Sequence, residues 1–287
     1  MKKYLPHIYV LIAGLSWGML GLFSRSLSLA GFTPRDIVLL RNFGSFVVMT
    51  VLFFVMDKSI FRIKLKHFPF FLGTGFVSVV LFTLLYFSCQ AQCSLAVSAI
   101  LLYTSPVFVM IMSALLFKEK ITKQKLFALV ITFAGCVAVS GILSGNLTVT
   151  VSGFITGIGS GFFYALYSIF GRFALAHYQP LTVTYYTFLC AGIPSLFLTN
   201  PVQLAENLMS SGTILFFGVG LVLLGTVLPF VMYTKGLAGI ESSKAAIIAC
   251  VEPVTSALVG VIAFGEPMTI SVVLGLACVL SAVYILR

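Results

Sequence analysis

Charge is what this sequence has least of. Only 8% of its 287 residues are Asp, Glu, Lys or Arg, against roughly a quarter in soluble globular chains, so no stretch reads as a water-soluble domain. With seven acidic residues and three histidines, the chain shows no His-x-x-x-His pair, no paired intramembrane aspartates and no nucleophile elbow. His7, His67 and His177 all fall at the ends of apolar runs and are expected at the surface. There is no phosphate-cradling Gly-x-x-x-x-Gly-Lys-Ser/Thr run, which excludes ATP hydrolysis by this chain. Strand-like alternation is also missing, which argues against a β-barrel. The six cysteines form no disulfide framework: Cys136, Cys190, Cys250 and Cys278 lie inside apolar runs, where Cys behaves as a small hydrophobe. Cys89 and Cys93 are four apart, but no His or carboxylate accompanies them to suggest a metal. No cofactor and no metal are expected.

What is present is hydrocarbon. Apolar residues make up 60% of the chain and mean hydropathy is +1.14. The pattern predicts an all-α membrane protein of ten transmembrane helices, each run being about 18–23 residues, enough to cross some 30 Å of lipid. The expected spans are Pro6–Ser24, Asp36–Met56, Phe68–Ser88, Leu95–Phe117, Leu126–Leu143, Val151–Gly171, Leu181–Thr199, Gly212–Thr234, Ala245–Phe264 and Met268–Leu286. The first resembles a secretory signal after Met1-Lys2-Lys3, but it is long and no small-residue cleavage pattern follows, so it is read as an uncleaved span. Short connections make successive spans neighbours.

The net charge of +10 does not point to nucleic acid, because the basic residues sit in short loops between apolar runs. Fourteen of the 17 fall on one side if the N-terminus is cytoplasmic: Lys2, Lys3, Lys58, Arg62, Lys64, Lys66, Lys118, Lys120, Lys123, Lys125, Arg172, Lys235, Lys244 and Arg287. The other three, Arg25, Arg35 and Arg41, surround the first loop of the opposite side. The loops Cys89–Ser94, Ser144–Thr150 and Asn200–Ser211 contain neither Lys nor Arg. The positive-inside rule therefore places both termini in the cytoplasm.

A single spacing recurs along the chain. Pro106 and Pro253, Glu119 and Glu266, Thr122 and Thr269, and Tyr86 and Tyr233 are each 147 residues apart, as are Gly14 and Gly161, Trp17 and Tyr164, and Arg25 and Arg172. This argues for a duplicated unit, expected as residues 1–145 and 146–287. Five spans per copy is an odd number, so the copies must run in opposite senses across the membrane. The loop charges agree, since the basic Lys118-Glu119-Lys120 corresponds to Gly265-Glu266-Pro267.

The ordered motifs Trp17-Gly18, Arg41, Pro106…Glu119-Lys120-Ile121-Thr122 and Glu252-Pro253…Gly265-Glu266-Pro267-Met268-Thr269 give the chain its family likeness. Over essentially its whole length it resembles the EamA-type branch of the drug/metabolite transporter superfamily. The resemblance implies two inverted five-helix halves around a central cavity, and transport, commonly export, of small organic solutes. It implies no single substrate. The partners expected are a small-molecule substrate and the lipid bilayer, with no nucleic acid, in a monomer or homodimer of the cytoplasmic membrane.

Glu252 is the leading candidate for substrate binding and coupling. An ionised carboxylate at mid-bilayer costs at least about 2.5–3.5 kcal/mol, so it should face a cavity or a partner. Desolvation acts on the protonation of any such carboxylate, which suits proton coupling. The alternative is a structural carboxylate pinning the kink at Pro253. Ser105 stands at the matching place in the first copy, so the fold does not demand an acid there. Arg41 either holds a substrate carboxylate, neutralises Glu252, or snorkels to the surface. Trp17, Tyr103 and Tyr164 sit deep enough to line a central site, with interfacial packing as the alternative; Tyr185 and Tyr186 are nearer a span end and read as interfacial. Lys244, eight residues before Glu252, is read as an interfacial anchor. The expected cavity wall consists of spans one, two, four, six and nine. Gly14-x-x-x-Gly18 and the Gly153, Gly157, Gly161 series allow close helix approach, within the chain or in a homodimer. Pro106, Pro194, Pro229 and Pro253 mark expected breaks. Within the transporter class a facilitative uniporter is the alternative; from a different class, an intramembrane enzyme or lipid-handling scaffold is kept, for which no catalytic constellation is seen.

Overall fold

In the computed structural model, residues 4–140 and 149–286 are described. Among the described residues, helical rods overlap the expected spans: α1 (Leu5–Leu29), α2 (Pro34–Met56), α3 (Leu65–Gln90), α4 (Leu95–Phe117), α5 (Lys123–Val139), α6 (Val151–Leu175), α7 (Pro180–Ser195), α8 (Gly212–Leu237), α9 (Ser242–Phe264) and α10 (Ile270–Ile285). A short helix, Pro201–Met209, bridges α7 and α8. Seven rods (α1–α4, α6, α8 and α9) are long and apolar enough to cross a membrane. The helix α10 is apolar but shorter, and α5 and α7 have 17 and 16 residues, a reach of about 24–26 Å at 1.5 Å per residue. There is no strand among the described residues. The expected end of span five at Leu143, most of the loop Ser144–Thr150, the boundary at 145/146, and Lys2, Lys3 and Arg287 lie outside them.

The packing treats the two halves alike. Helix α1 lies antiparallel to α8, with Gly236 and Gly239 against Val10 and Pro6 and Gly220 against the Phe23 ring. The same arrangement recurs 147 residues away, where α6 lies antiparallel to α3 and Gly73 meets the Phe170 ring. A side chain at either glycine would collide with that ring, which is why both positions lack one. Gly14 approaches Ala249 and Val251 on α9, and its counterpart Gly161 approaches Leu102 and Thr104 on α4. The fourfold-spaced glycines thus serve packing within the chain.

Matching helices of the two halves run in opposite directions. Between α2 and α7, Thr199 donates to Asp36, Asn42 to Ser195, and Thr50 to Tyr185, so one rises as the other falls. Between α5 and α10, Gln124 donates to the Ile285 carbonyl while Gly275 packs on Val139. The halves are therefore inverted. The start of α1 and the end of α10 lie at the same end of the bundle, the end that also carries Glu119, Lys125 and Arg172.

Candidate functional site

Two rods break at mid-length, at equivalent places. Helix α4 divides into α4a (Leu95–Leu102) and α4b (Ser105–Phe117), and α9 into α9a (Ser242–Ala249) and α9b (Glu252–Phe264). Pro106 and Pro253 occupy the first turn of each second half, where the missing N–H costs nothing but continuation from upstream is blocked. The breaks leave Tyr103 and Cys250 in the gaps and put Ser105 and Glu252 at the first helical position beyond. Glu252 thus sits at the positive end of a half-helix, where a carboxylate is favoured.

A cavity lies between these breaks. Trp17, Tyr103, Tyr164 and Glu252 all line it. Trp17 is held edge-on to Phe230 and tilted against Tyr233, at centroid distances of 5.2 and 5.3 Å. Tyr164 leans on Phe82 at 5.1 Å. The hydroxyls of Tyr233 and Tyr167 are taken by Ser168 and Thr234, both at 2.7 Å. The Ser78 hydroxyl, also on the wall, is buried and has no partner, so it is available to a guest. The result is an aromatic box with a few hydroxyls and a single carboxylate.

Arg41 is in a different position. It lies in a π-helical segment of α2 (Leu40–Gly44), outside that lining, with its Nε buried and without a hydrogen-bond partner. It belongs to none of the ion pairs among the described residues. The expected wall is corrected accordingly. Helices α1, α4, α6 and α9 contribute; α2 does not, and α3 (Ser78, Phe82) and α8 (Phe230, Tyr233) take its place. The reason is the α1–α8 and α6–α3 pairing, which brings the middles of α3 and α8 inward. The repeated pairs Gly73/Gly220 and Phe23/Phe170 are the signal in the sequence that could have revealed this.

The reading of Tyr185 and Tyr186 is also revised. Tyr185 is no interfacial belt residue; it is buried among Phe46, Phe53 and Phe61, and Tyr186 donates to the Phe61 carbonyl at 2.8 Å. Of the histidines, His177 is exposed and His67 and His7 are half-buried; His67 and His177 stack at 4.2 Å, and His67 bonds the Tyr178 hydroxyl. Lys244 pairs with Glu241 at 3.3 Å and takes no part in the cavity lining. The six cysteines are free, and among the described residues no group of His, Cys, Asp and Glu could hold a metal.

A second space, an open cleft of about 700 Å³, runs from Tyr103 past Ala99, Ser140, Pro253 and Ser256 to Glu266. Tyr103 lines both spaces and stands between them.

The model of the EamA-like transporter family matches the chain twice, at residues 5–141 and 151–287. The chain belongs to the EamA-like transporter family. This EamA-like transporter is 28% identical to an uncharacterized transporter of Archaeoglobus fulgidus, covering 99% of this chain and 98% of that protein. It is 26% identical to the uncharacterized inner membrane transporter YicL of Salmonella typhimurium, covering 96% and 93%. A crystal structure titled only as that of a protein shares the fold, with a TM-score of 0.80, 17% identity and coverage of 98% and 95%. The chain is thus a multi-pass membrane transporter, for which a small-molecule substrate and a lipid bilayer are the implied partners.

Proposed function

We propose that this EamA-like transporter is a secondary exporter of small amphipathic metabolites, amino acids or hydrophobic amines, working by alternating access across the cytoplasmic membrane. In this reading residues 1–145 and 146–287 are the two five-helix repeats, all ten rods cross the membrane, and both termini are cytoplasmic. The observation that carries it is Glu252 at the head of a broken half-helix, on the wall of an aromatic cavity that has no second acid. Discontinuous helices meeting at the repeat interface are how inverted-repeat transporters build their sites. Trp17, Tyr103 and Tyr164 cover the apolar part of the substrate, Glu252 takes its ammonium group, and Arg41 answers a carboxylate from behind the wall. Glu252 also exchanges the coupling proton, so that substrate and proton compete for one carboxylate.

The test is counterflow in proteoliposomes with labelled aromatic amino acids and phenylalkylamines, at several pH values. Saturable counterflow whose rate depends on pH is expected, with the pH dependence lost in Glu252→Gln. A flat profile unchanged in that variant would leave a facilitative uniporter. Absence of counterflow for every solute in both classes would sink the substrate assignment.

A further inference from the structure

The turns that follow α4 and α9 have the same backbone and opposite side-chain fates. Each begins with a left-handed residue, Lys118 (φ 56°) or Gly265 (φ 68°). In each the glutamate N–H returns to a carbonyl, Glu119 to Ser113 at 3.3 Å and Glu266 to Gly260 at 3.2 Å. In each the next helix is capped by a threonine, Thr122 or Thr269.

Beyond the backbone the likeness stops. The Glu119 carboxylate is almost fully buried and seated on the N-terminus of α9a, accepting from the Ser242 N–H at 2.7 Å, the Ser243 N–H at 3.2 Å and the Ser243 hydroxyl at 2.6 Å. On the other side of the same connection, the Arg172 guanidinium donates to the carbonyl of Leu237, the last residue of α8, at 2.6 Å and to that of Ile240 in the connection at 3.0 Å. The α8–α9 connection is therefore gripped at both ends, N–H groups by a carboxylate and carbonyls by a guanidinium. Each contact is of the charge-assisted kind that helix termini favour.

Moved back by the repeat spacing, the same grip would join Arg25 to the carbonyls of Gln90 and Cys93, and Glu266 to the N–H groups of Leu95 and Ala96. All of these groups are present at the opposite end. Instead Arg25 and Glu266 pair with each other at 2.6 Å, half exposed, and Ser94 caps α4a through the Val97 N–H. The accessible space follows the same division. Ser256, on the cleft beside Glu266, is exposed, whereas its counterpart Val109, on the wall of the central cavity in the half-helix that leads to Glu119, is buried.

We infer that Arg172 with Glu119, and Arg25 with Glu266, are paired gating clamps, each locking the helix connection at its own end when that end is shut. In this structure the first is engaged and the second released. In the alternate state Arg25 and Glu266 part and grip the α3–α4 connection, while Glu119 leaves Ser242 and Ser243. The inference deepens the alternating-access reading, and its test needs no substrate.

The full-length protein in membrane vesicles of both orientations would carry Ser256→Cys or Val109→Cys, labelled from either face with a membrane-impermeant maleimide. The parent, whose own cysteines are buried apart from the half-buried Cys278, supplies the background. Glu119→Ala is expected to slow labelling at Ser256→Cys at least about threefold and to speed it at Val109→Cys, the shift expected when a few hydrogen bonds leave one of two states. Glu266→Ala, at an exposed position that spares the fold, should act in the opposite sense, and the double variant should return towards the parent. Unchanged labelling in Glu119→Ala together with a lower melting point would make Glu119 a structural cap and overturn the clamps. If Glu119→Ala does not fold, unchanged labelling in Glu266→Ala overturns them by itself. Shifted labelling without counterflow would leave the clamps standing and remove the transport reading; counterflow with unmoved labelling would do the reverse.

Discussion

Helix α3 against α6 and helix α8 against α1 are the same contact made twice, down to one glycine under one phenylalanine ring in each. Several of the polar and charged groups placed around these shared contacts are not repeated. Ser105 begins the half-helix of the first copy and Glu252 that of the second. Lys125 is buried between Glu119 at 3.8 Å and Glu241 at 3.1 Å, and its counterpart in the second copy is Val272. Close packing determines how the rods stack and tolerates little variation. Polar groups at the breaks and turns can diverge between copies, because each answers to a different environment. What the two halves share is the scaffold, and what distinguishes them is where the chemistry lies.

Four substitutions would break or sharpen that contrast, beginning with the largest effect. Lys125→Met leaves two carboxylates without their buried cation, and a loss of about 3 kcal/mol is expected from denaturant titration in detergent. A change below about 1 kcal/mol would mean the one-sided cluster matters little to the fold. The same cluster sets an acid limit. Burial would raise the Glu241 carboxyl, but the hydrogen bond and charge of Lys125 and the charge of Lys244 outweigh it and hold it below its ordinary range. Its contribution to stability is therefore complete above the unfolded value and is lost as pH falls through the lowered folded one.

Next come Gly73→Ala and Gly220→Ala, each driving a methyl group into a ring. Equal losses of about 1–3 kcal/mol are expected, the usual cost of overpacking. Losses differing by more than about 1 kcal/mol would show that the two copies of this contact are not energetically equivalent. The smallest effect belongs to Lys118→Gly, which gives the first turn the residue the second already has. Relief of a left-handed φ of 56° at a non-glycine residue should raise stability by about 1 kcal/mol. No gain would mean that Lys118 holds its turn through other contacts.

Much of this architecture could be read from the sequence because its strongest signals are local. The left-handed turn and threonine cap after α4 and α9 are short motifs, so the spacing of Glu119 to Glu266 carried the duplication directly. An odd number of apolar runs per copy then carried the inversion. Trp17, Tyr103, Tyr164 and Glu252 were legible as wall residues because each lies at mid-span or beside a proline break. Which rods stand side by side was not legible. That depends on Gly73 meeting Phe170 and Gly220 meeting Phe23 across long stretches of chain, so α2 was expected on the wall in place of α3 and α8. Tyr185 was misplaced for the same reason, since its aromatic neighbours come from α2 and from the connection that follows it.

The widened turns in α3 (Gly73–Val80) and α8 (Leu223–Val227) have a geometric consequence. A π turn stores one residue beyond what a regular helix would use over the same rise. Each residue of an α-helix advances the azimuth by about 100°. Were either segment ironed flat into ordinary helix, Phe82 or Phe230 downstream would swing roughly a quarter-turn or more away from the pocket, and Tyr164 or Trp17 would lose the ring it leans on. The surplus residue in each half is what aims those aromatics.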